Sequence, residues 1–175
     1  CQQSLINYLD TEMEEKVSKD DIEKLIKYGE QFGENNTNLI DSLKDIPQSI
    51  IRNAKLIDEK LADIKVCDPA VGSGAFLVGM MGEIVRARNV LTNYIKKSNR
   101  TIYNFKRDCI ENSLYGVDID PGAVEIAKLR LWLSLVVDEE DIKQIKPLPN
   151  LDYKIVCGNS LLGVELNLFT QKAFN

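Results

Sequence analysis

The arrangement that most constrains the fold is a pair of glycines between a short apolar run and a long apolar helix. The run Ile64–Cys67 predicts a β-strand that ends at Asp68, and Gly72-Ser73-Gly74 follows it closely. A helix is predicted from about Gly74 to Asn99. Glycine lets the backbone turn sharply and approach a ligand, and the start of a helix offers free N–H groups. The sequence therefore predicts a strand–turn–helix unit in which the turn contacts a small molecule.

Two further apolar runs predict strands of the same kind. Leu114–Val117 predicts a second strand that stops at Asp118, and Tyr153–Cys157 predicts a third. Between them, Gly122–Val137 predicts a helix that is apolar on nearly all sides and belongs in a core or under another layer. Because strands alternate with helices, we expect an α/β fold with a parallel sheet and right-handed crossovers.

The residues before this unit predict helices. Apolar residues recur at helical spacing twice within residues 4–33, and Ser18 followed by Asp21 is typical of the start of the second helix. Pro47 opens a further helix, and the predicted apolar face of that helix consists of Ile50, Ile51, Ala54, Ile57 and Leu61. We therefore predict a helical N-terminal segment at residues 1–46 and an α/β domain at residues 47–175.

The composition limits the classes of protein to which the chain can belong. A length of 175 residues, with 44% hydrophobic and 28% charged residues, suits one soluble globular domain. No apolar run approaches the roughly 18 residues that span a membrane, and the N-terminus does not resemble a signal peptide. A cytoplasmic location without a membrane partner is expected. The net charge of -5 argues against a protein whose whole surface binds nucleic acid.

A basic run lies in the middle of the chain. Between Arg86 and Arg107 there are seven Lys or Arg residues and no acidic residue. We interpret this run as a solvated face, with DNA contact as the weaker alternative. Tyr94, Tyr103 and Phe105 within it are interpreted as packing residues.

The cysteines predict no metal site. The four cysteines are scattered, without a C-x-x-C pair, and histidine is absent. Cys67 and Cys157 lie in predicted strands, so we expect both to be buried free thiols.

Each predicted strand ends in a polar group. In open α/β sheets the ligand lies across the carboxyl ends of the strands, so Asp68, Asp118 and Asn159 are expected to face one small molecule. Asp68 suits a cation, such as the ammonium group of S-adenosylmethionine, rather than a pyrophosphate. Asp118 suits two ribose hydroxyls, Ile119 beside it offers an apolar face to adenine, and Asn159 suits the adenine edge.

Purely structural roles remain open for these residues. The glycines can serve the turn alone, and Asn159-Ser160 can be a turn. Asp118 or Asp120 can cap the helix that follows, and Asp120 is the expected cap. The nicotinamide fingerprint requires a third glycine three residues after Gly74, where Leu77 stands. That fingerprint therefore fails.

Three segments together resemble the gamma-type adenine-N6 DNA methyltransferases. Asp68–Phe76 resembles their first cofactor motif, with Val71 in place of the usual cysteine. Tyr115–Pro121 is similar to their second motif, and Gly158–Leu162 to their third, with Asn159 where aspartate is more common. The spacing of these motifs and the segment Leu129–Leu135 resemble those of the type IIG restriction-modification enzymes. The resemblance covers roughly Pro47 to Glu165.

The resemblance implies a partial Rossmann-like, S-adenosylmethionine-dependent methyltransferase fold, with its first three parallel strands and their helices. It implies transfer of a methyl group to N6 of an adenine that is flipped out of double-stranded DNA. The implied cofactor-binding residues are Asp68, Ala70, Gly72, Gly74, Phe76, Asp118, Ile119, Asn159 and Ser160.

The family's catalytic Asn-Pro-Pro-Tyr motif and its upstream Thr-Pro motif do not occur in the sequence. We therefore expect a fragment that lacks the C-terminal half of its domain, has no catalytic residue of its own and is inactive alone. The first strand is expected to have an open edge that invites pairing.

Other functions fit the same cofactor motifs. One alternative is a methyltransferase that acts on protein glutamine or on RNA, and another is a nucleotide-binding oxidoreductase. A third is a Rossmann-like module without catalysis. The sequence leaves open the DNA site recognised, the presence of a nuclease domain and the oligomeric state.

Overall fold

A computed structural model describes residues 1–13, 16–34, 46–96, 100–137 and 150–162. Four helices precede the first strand: α1 (Gln2–Met13), α2 (Lys19–Glu34), α3 (Gln48–Arg52) and α4 (Ala54–Asp63). They are followed by β1 (Val66–Asp68), α5 (Ala75–Leu91), a 3-10 turn (Thr92–Tyr94), α6 (Ile102–Asn112), β2 (Leu114–Asp118), α7 (Pro121–Val136) and β3 (Ile155–Cys157).

The three strands form a parallel sheet in the order β1-β2-β3. Asp68 of β1 lies opposite Gly116 of β2, and Asp118 of β2 lies opposite Cys157 of β3. The predicted α/β class, with three parallel strands joined through helices, is confirmed. Within the described residues β1 and β3 are both edge strands.

Helices cover one face of this sheet. Side chains alternate between the two faces of a strand, and Val66, Leu114 and Ile155 on one face are buried. On that side α5 packs against β1 and β2, and α7 packs against β2 and β3. The alternate positions Tyr115 and Val117 are only half-buried. Parallel sheets normally have both faces covered, so in the described part of the chain this sheet is covered on one side only.

The prediction that Cys67 and Cys157 are buried is wrong. Cys67 alternates with the buried Val66 and is exposed because it lies on the uncovered face of the sheet. Cys157 lies on the same face as Ile155 and is exposed at the carboxyl end of β3. Cys109 of α6 is the buried thiol, and burial raises its pKa to about 12.

The N-terminal helices share a core with the α/β part. Leu5 and Leu9 of α1 and Leu25 of α2 are fully buried, and both helices pack against α5. As predicted, Ser18 begins α2, since its Oγ accepts a hydrogen bond from the N–H of Asp21 at 3.2 Å. The domain boundary after residue 46 stays a prediction.

Two helical predictions are corrected. The helix after Pro47 is divided at Asn53 into α3 and α4, although its predicted apolar face is buried or half-buried. The helix predicted to reach Asn99 ends at Leu91, and the chain becomes extended at Ile95. The unpredicted α6 then begins at Thr101, whose side chain accepts from the N–H of Asn104.

The basic run supplies a buried ion cluster. Asp58 of α4 accepts from Arg88 at 3.0 Å and from both terminal nitrogens of Arg100 at 2.8 and 2.9 Å. Both guanidinium groups lie over the ring of Phe105, at 4.7 and 4.9 Å from its centroid. The predicted solvated face is therefore wrong for Arg88 and Arg100, whose side chains are 8% and 4% exposed. The packing role of Phe105 is confirmed, and Tyr103 and Tyr94 also pack in or against the core.

Helix α7 is buried on one face rather than all round. Its buried residues are Val124, Ala127, Leu131 and Leu135. Three other apolar residues, Ile126, Leu129 and Leu133, are 53%, 52% and 46% exposed. The predicted placement in a core therefore holds for one face only. No helix of the described ranges is long and apolar enough to cross a bilayer.

Candidate functional site

The three polar residues expected at the strand ends adopt the same local geometry. A side-chain oxygen of Asp68 accepts from the N–H of Ala70 at 3.1 Å, and one of Asp118 accepts from Asp120 at 3.0 Å. Asn159 accepts from Leu161 at 3.0 Å in the same way. Such turns stop each strand and bend the chain across the sheet edge. This local geometry accounts for the polar residues at the ends of all three strands.

The glycine turn is fastened to β2. The N–H of Val71 donates to the carbonyl of Val117 at 2.9 Å, and the N–H of Gly72 donates to Oδ2 of Asp118 at 2.7 Å. A Cβ on Gly116 would lie 2.8 Å from a methyl carbon of Val71. The close approach of turn and strand therefore requires glycine at position 116.

The two glycines of the turn differ in their surroundings. Both have positive φ, 50° at Gly72 and 78° at Gly74. A Cβ on Gly74 would lie 3.1 Å from Cβ and 3.2 Å from Cα of Ala127 in α7, whereas a Cβ on Gly72 would meet no atom within 4 Å. Gly74 thus permits the packing of α5 against α7, and Gly72 leaves open space above the turn.

Asp118 connects the turn with the strand end. Each of its carboxylate oxygens accepts one backbone N–H, from Gly72 and from Asp120. The hydrogen bonds from Asp120 and Gly72 stabilise the ionised form and hold the pKa of Asp118 below its ordinary value. Since an ionised carboxylate has about four acceptor positions, it can still accept further hydrogen bonds.

Most of the other predicted site residues at the strand ends are exposed. Ala70, Asn159 and Ser160 are exposed, and Phe76 and Ile119 are 41% and 72% exposed. The backbone N–H of Gly158, which follows β3, donates to the backbone carbonyl of Asp118 at 2.8 Å and joins the ends of β2 and β3. The roles of all nine residues as cofactor contacts stay predictions.

Asp120 is not part of the proposed contact set. Its Oδ1 accepts from the N–H of Gly122 at 2.8 Å at the start of α7. The predicted helix-capping role of Asp120 is therefore confirmed.

Sequence reasoning missed two residues of α7 that contact the turn. Ala127 packs against Gly74, and NH1 of Arg130 donates to Oγ of Ser73 at 2.9 Å. Both lie more than 50 positions from the turn in sequence, so no local pattern reveals the contact. Their spacing of three residues on one helix is one signal, and Arg130 also lies in the segment Leu129–Leu135 that resembles the type IIG enzymes.

Comparison with known proteins identifies the family. Residues 43–170 match the MmeI DNA-methyltransferase domain family. A putative type II restriction enzyme and methyltransferase of Methanocaldococcus jannaschii is 40% identical over 140 residues, which are 76% of this chain and 12% of that protein. DNA methyltransferase A of Bacillus subtilis is 31% identical over 86 residues, which are 48% of this chain and 9% of that protein. The chain therefore corresponds to a small part of both relatives. No solved structure matches.

The matched range includes the three strands, the glycine turn and every predicted site residue from Asp68 to Ser160. It confirms the resemblance to the methyltransferase part of restriction-modification enzymes and the partial Rossmann-like fold that the resemblance implied. The chain belongs to the family of MmeI DNA-methyltransferase domains.

Proposed function

We propose that this chain is the S-adenosylmethionine-binding part of a site-specific DNA methyltransferase that methylates N6 of adenine in a restriction-modification system. The observation that carries the proposal is the hydrogen bond between Gly72 and Asp118, which joins the glycine turn to the end of β2. It brings together two groups suited to different parts of one cofactor. The proposal concerns the whole protein, of which this chain supplies the cofactor-binding part.

The residues at the strand ends fit S-adenosylmethionine. The open space beside Gly72 admits a ligand against the backbone. Asp118 retains acceptor positions for two ribose hydroxyls, and the exposed Ile119 beside it offers an apolar surface to adenine. One oxygen of Asp68 accepts from Ala70, so its carboxylate still has capacity for an ammonium group.

The proposed contacts follow the order of the strands. Asp68 binds the ammonium group, Gly72 and Gly74 line the methionine part, Asp118 binds the ribose, and Ile119 and Asn159 contact adenine. Ala70, Phe76 and Ser160 complete the lining. When bound, S-adenosylmethionine supplies the methyl group, and this chain's residues hold and orient it. No described residue is proposed to act on the methyl acceptor.

The proposed acceptor is an adenine in double-stranded DNA. One relative is named as a restriction enzyme and methyltransferase and the other as a DNA methyltransferase. The choice of adenine N6 rests on the resemblance of the three cofactor motifs to the gamma-type enzymes. A base inside a duplex is out of reach of such a pocket, so the target must flip out of the stack.

A nicotinamide dinucleotide is disfavoured by the start of α5. Leu77 stands where the dinucleotide fingerprint requires its third glycine, and its side chain is fully buried in the core. The helix therefore lacks the close approach that this glycine provides.

The test is methyl transfer by the full-length protein. The protein is incubated with methyl-labelled S-adenosylmethionine and a mixture of duplex DNA sequences, and the digested DNA is analysed by mass spectrometry. Labelled N6-methyladenine is the expected product. Label on cytosine, RNA or protein glutamine instead would overturn the proposed acceptor.

Two variants connect the activity with the site. Asp118→Asn places an amide group where two N–H donors and the ribose require acceptors, so transfer should fall at least about tenfold. Asp10→Asn, on the exposed side of α1, is the matched control and should retain full activity. Equal activity of both variants would remove Asp118 from the site.

A further inference from the structure

We infer that Arg130 of α7 is a positioning residue that holds the glycine turn against the methionine part of the cofactor. The inference deepens the proposed function and rests on it. Arg130 has an exposed side chain, and its NH1 donates to Oγ of Ser73 at 2.9 Å. Ser73 is the middle residue of the turn, between two glycines of positive φ.

Arg130 differs from the other basic residue on its part of the helix. Lys128 forms ion pairs with Glu125 at 3.0 Å and Asp152 at 3.2 Å. Among the residues that the structure describes, the hydrogen bond to Ser73 is the one polar contact of Arg130. Arg130 is thus directed at the turn and forms no ion pair with a described acidic residue.

The contact completes a three-point attachment of the turn. Gly72 is held by Asp118 at the end of β2, and Gly74 lies against Ala127 of α7. Without Arg130, the peptide groups on both sides of Ser73 would be restrained only at the glycines, whose backbones resist rotation least. Ala127 and Arg130 lie three residues apart and therefore on one side of the helix. One helix thus fixes two of the three turn residues.

This attachment predicts an effect on one half of the ligand. In the proposed function the turn contacts the amino-acid part, whereas Asp118 and Ile119 contact the adenosine part. Loss of Arg130 should therefore weaken the binding of ligands that have the amino-acid part and leave the binding of ligands that lack it unchanged.

The test is calorimetric titration of the full-length protein with two ligands. S-adenosylhomocysteine has the amino-acid part, and 5′-methylthioadenosine lacks most of it. For Arg130→Ala, the Kd of S-adenosylhomocysteine should rise roughly fivefold, the size expected for one lost hydrogen bond. The Kd of 5′-methylthioadenosine should stay unchanged. Arg52→Ala, at an exposed arginine of α3, is the control and should change neither affinity.

A double-mutant cycle separates positioning from a general structural effect. Ser73→Ala should give the same loss as Arg130→Ala, and the double variant no more than either. Arg130→Lys, which retains a donor, should recover part of the affinity. The thermal midpoint of all variants should stay close to that of the wild type, since the contact is exposed.

Three outcomes would overturn the inference. They are an equal loss for both ligands, no loss for either, and additive losses in the cycle. If the wild-type protein bound neither ligand, the proposed function would fail, and the positioning role would fail with it.

Discussion

At the scale of single residues, the two glycines of the turn have separate tasks. Gly74 has φ 78°, and a Cβ added there would lie 3.2 Å from Cα of Ala127 in α7, whereas Gly72 has φ 50° and faces open space. A left-handed conformation costs an L-residue roughly 1–2 kcal/mol. A side chain introduced at Gly74 would also contact Ala127, which adds to that cost, whereas a side chain at Gly72 would meet no neighbouring atom.

The paired substitutions should therefore separate stability from binding. Gly74→Ala should lower the free energy of unfolding by about 2 kcal/mol or more. Gly72→Ala should lower it by only about 1 kcal/mol, while its methyl group fills the space proposed for the cofactor and reduces affinity at least about tenfold. Denaturant unfolding and ligand titration of both variants measure the two effects. If Gly72→Ala bound the cofactor normally, the cofactor would not lie against this turn.

The sequence reveals the residues of the turn but not their tertiary contacts. Gly72, Gly74 and Asp118 are recognisable because each lies in a short motif that follows or ends a predicted strand. The contact of Arg130 with Ser73 is not recognisable, since it spans 57 positions and an isolated arginine on a helix usually faces solvent.

At the scale of helices, the buried ion cluster holds α4, α5 and α6 together. Asp58 is 8% exposed, and it accepts from Arg88 of α5 and from Arg100, which precedes α6. Burial by itself raises the pKa of Asp58, but hydrogen bonds and charge from Arg100 and Arg88 outweigh it and leave the pKa below its ordinary value. The carboxylate therefore stays ionised inside the core.

Removal of Asp58 should leave two arginines buried without their shared partner. The free energy of unfolding should fall by about 3 kcal/mol for Asp58→Ala. The exposed Asp63→Ala at the end of the same helix should change it by less than about 0.5 kcal/mol. Urea unfolding compares the two variants. A loss below about 1 kcal/mol at Asp58 would show that the cluster contributes little to stability.

One of the failed helical predictions lies at the same cluster. Periodicity predicts α1 and α2 well, because an apolar stripe appears in each local window. The apolar run predicts the extent of α7 but not which of its faces is buried. Periodicity extends α5 too far and misses α6, and it cannot show that Arg100, which precedes α6, bonds to Asp58 across 42 positions. Local patterns cannot contain such a pairing, and a run of basic residues resembles a solvated surface.

At the scale of the whole molecule, the described sheet has two open edges and one open face. Parallel sheets are normally buried on both faces, and unpaired strand edges invite association. Tyr115 and Val117 of β2 lie on the open face, with Val156 of β3 opposite Val117. The parallel direction of the strands follows from the alternation of strands and helices in the sequence, and the open edge of β1 is expected from the family resemblance.

The isolated 175-residue chain should therefore self-associate as its concentration rises. Sedimentation velocity should show dimers or larger species, and the fraction of these species should fall when Val117→Lys and Val156→Lys are introduced. Ile126→Lys and Leu129→Lys on the exposed stripe of α7 are the matched controls. A monomer at all concentrations, or an effect of the α7 pair alone, would contradict association through the sheet.

Calorimetric titration of the full-length protein with S-adenosylmethionine, with NAD as the comparison ligand, tests whether the strand ends bind this cofactor. We expect one S-adenosylmethionine bound per chain, no measurable NAD binding, and an affinity for S-adenosylmethionine that Asp118→Asn weakens at least about tenfold. Binding of NAD in its place, or an affinity for S-adenosylmethionine that Asp118→Asn leaves unchanged, would contradict the assignment of the cofactor to these strand ends.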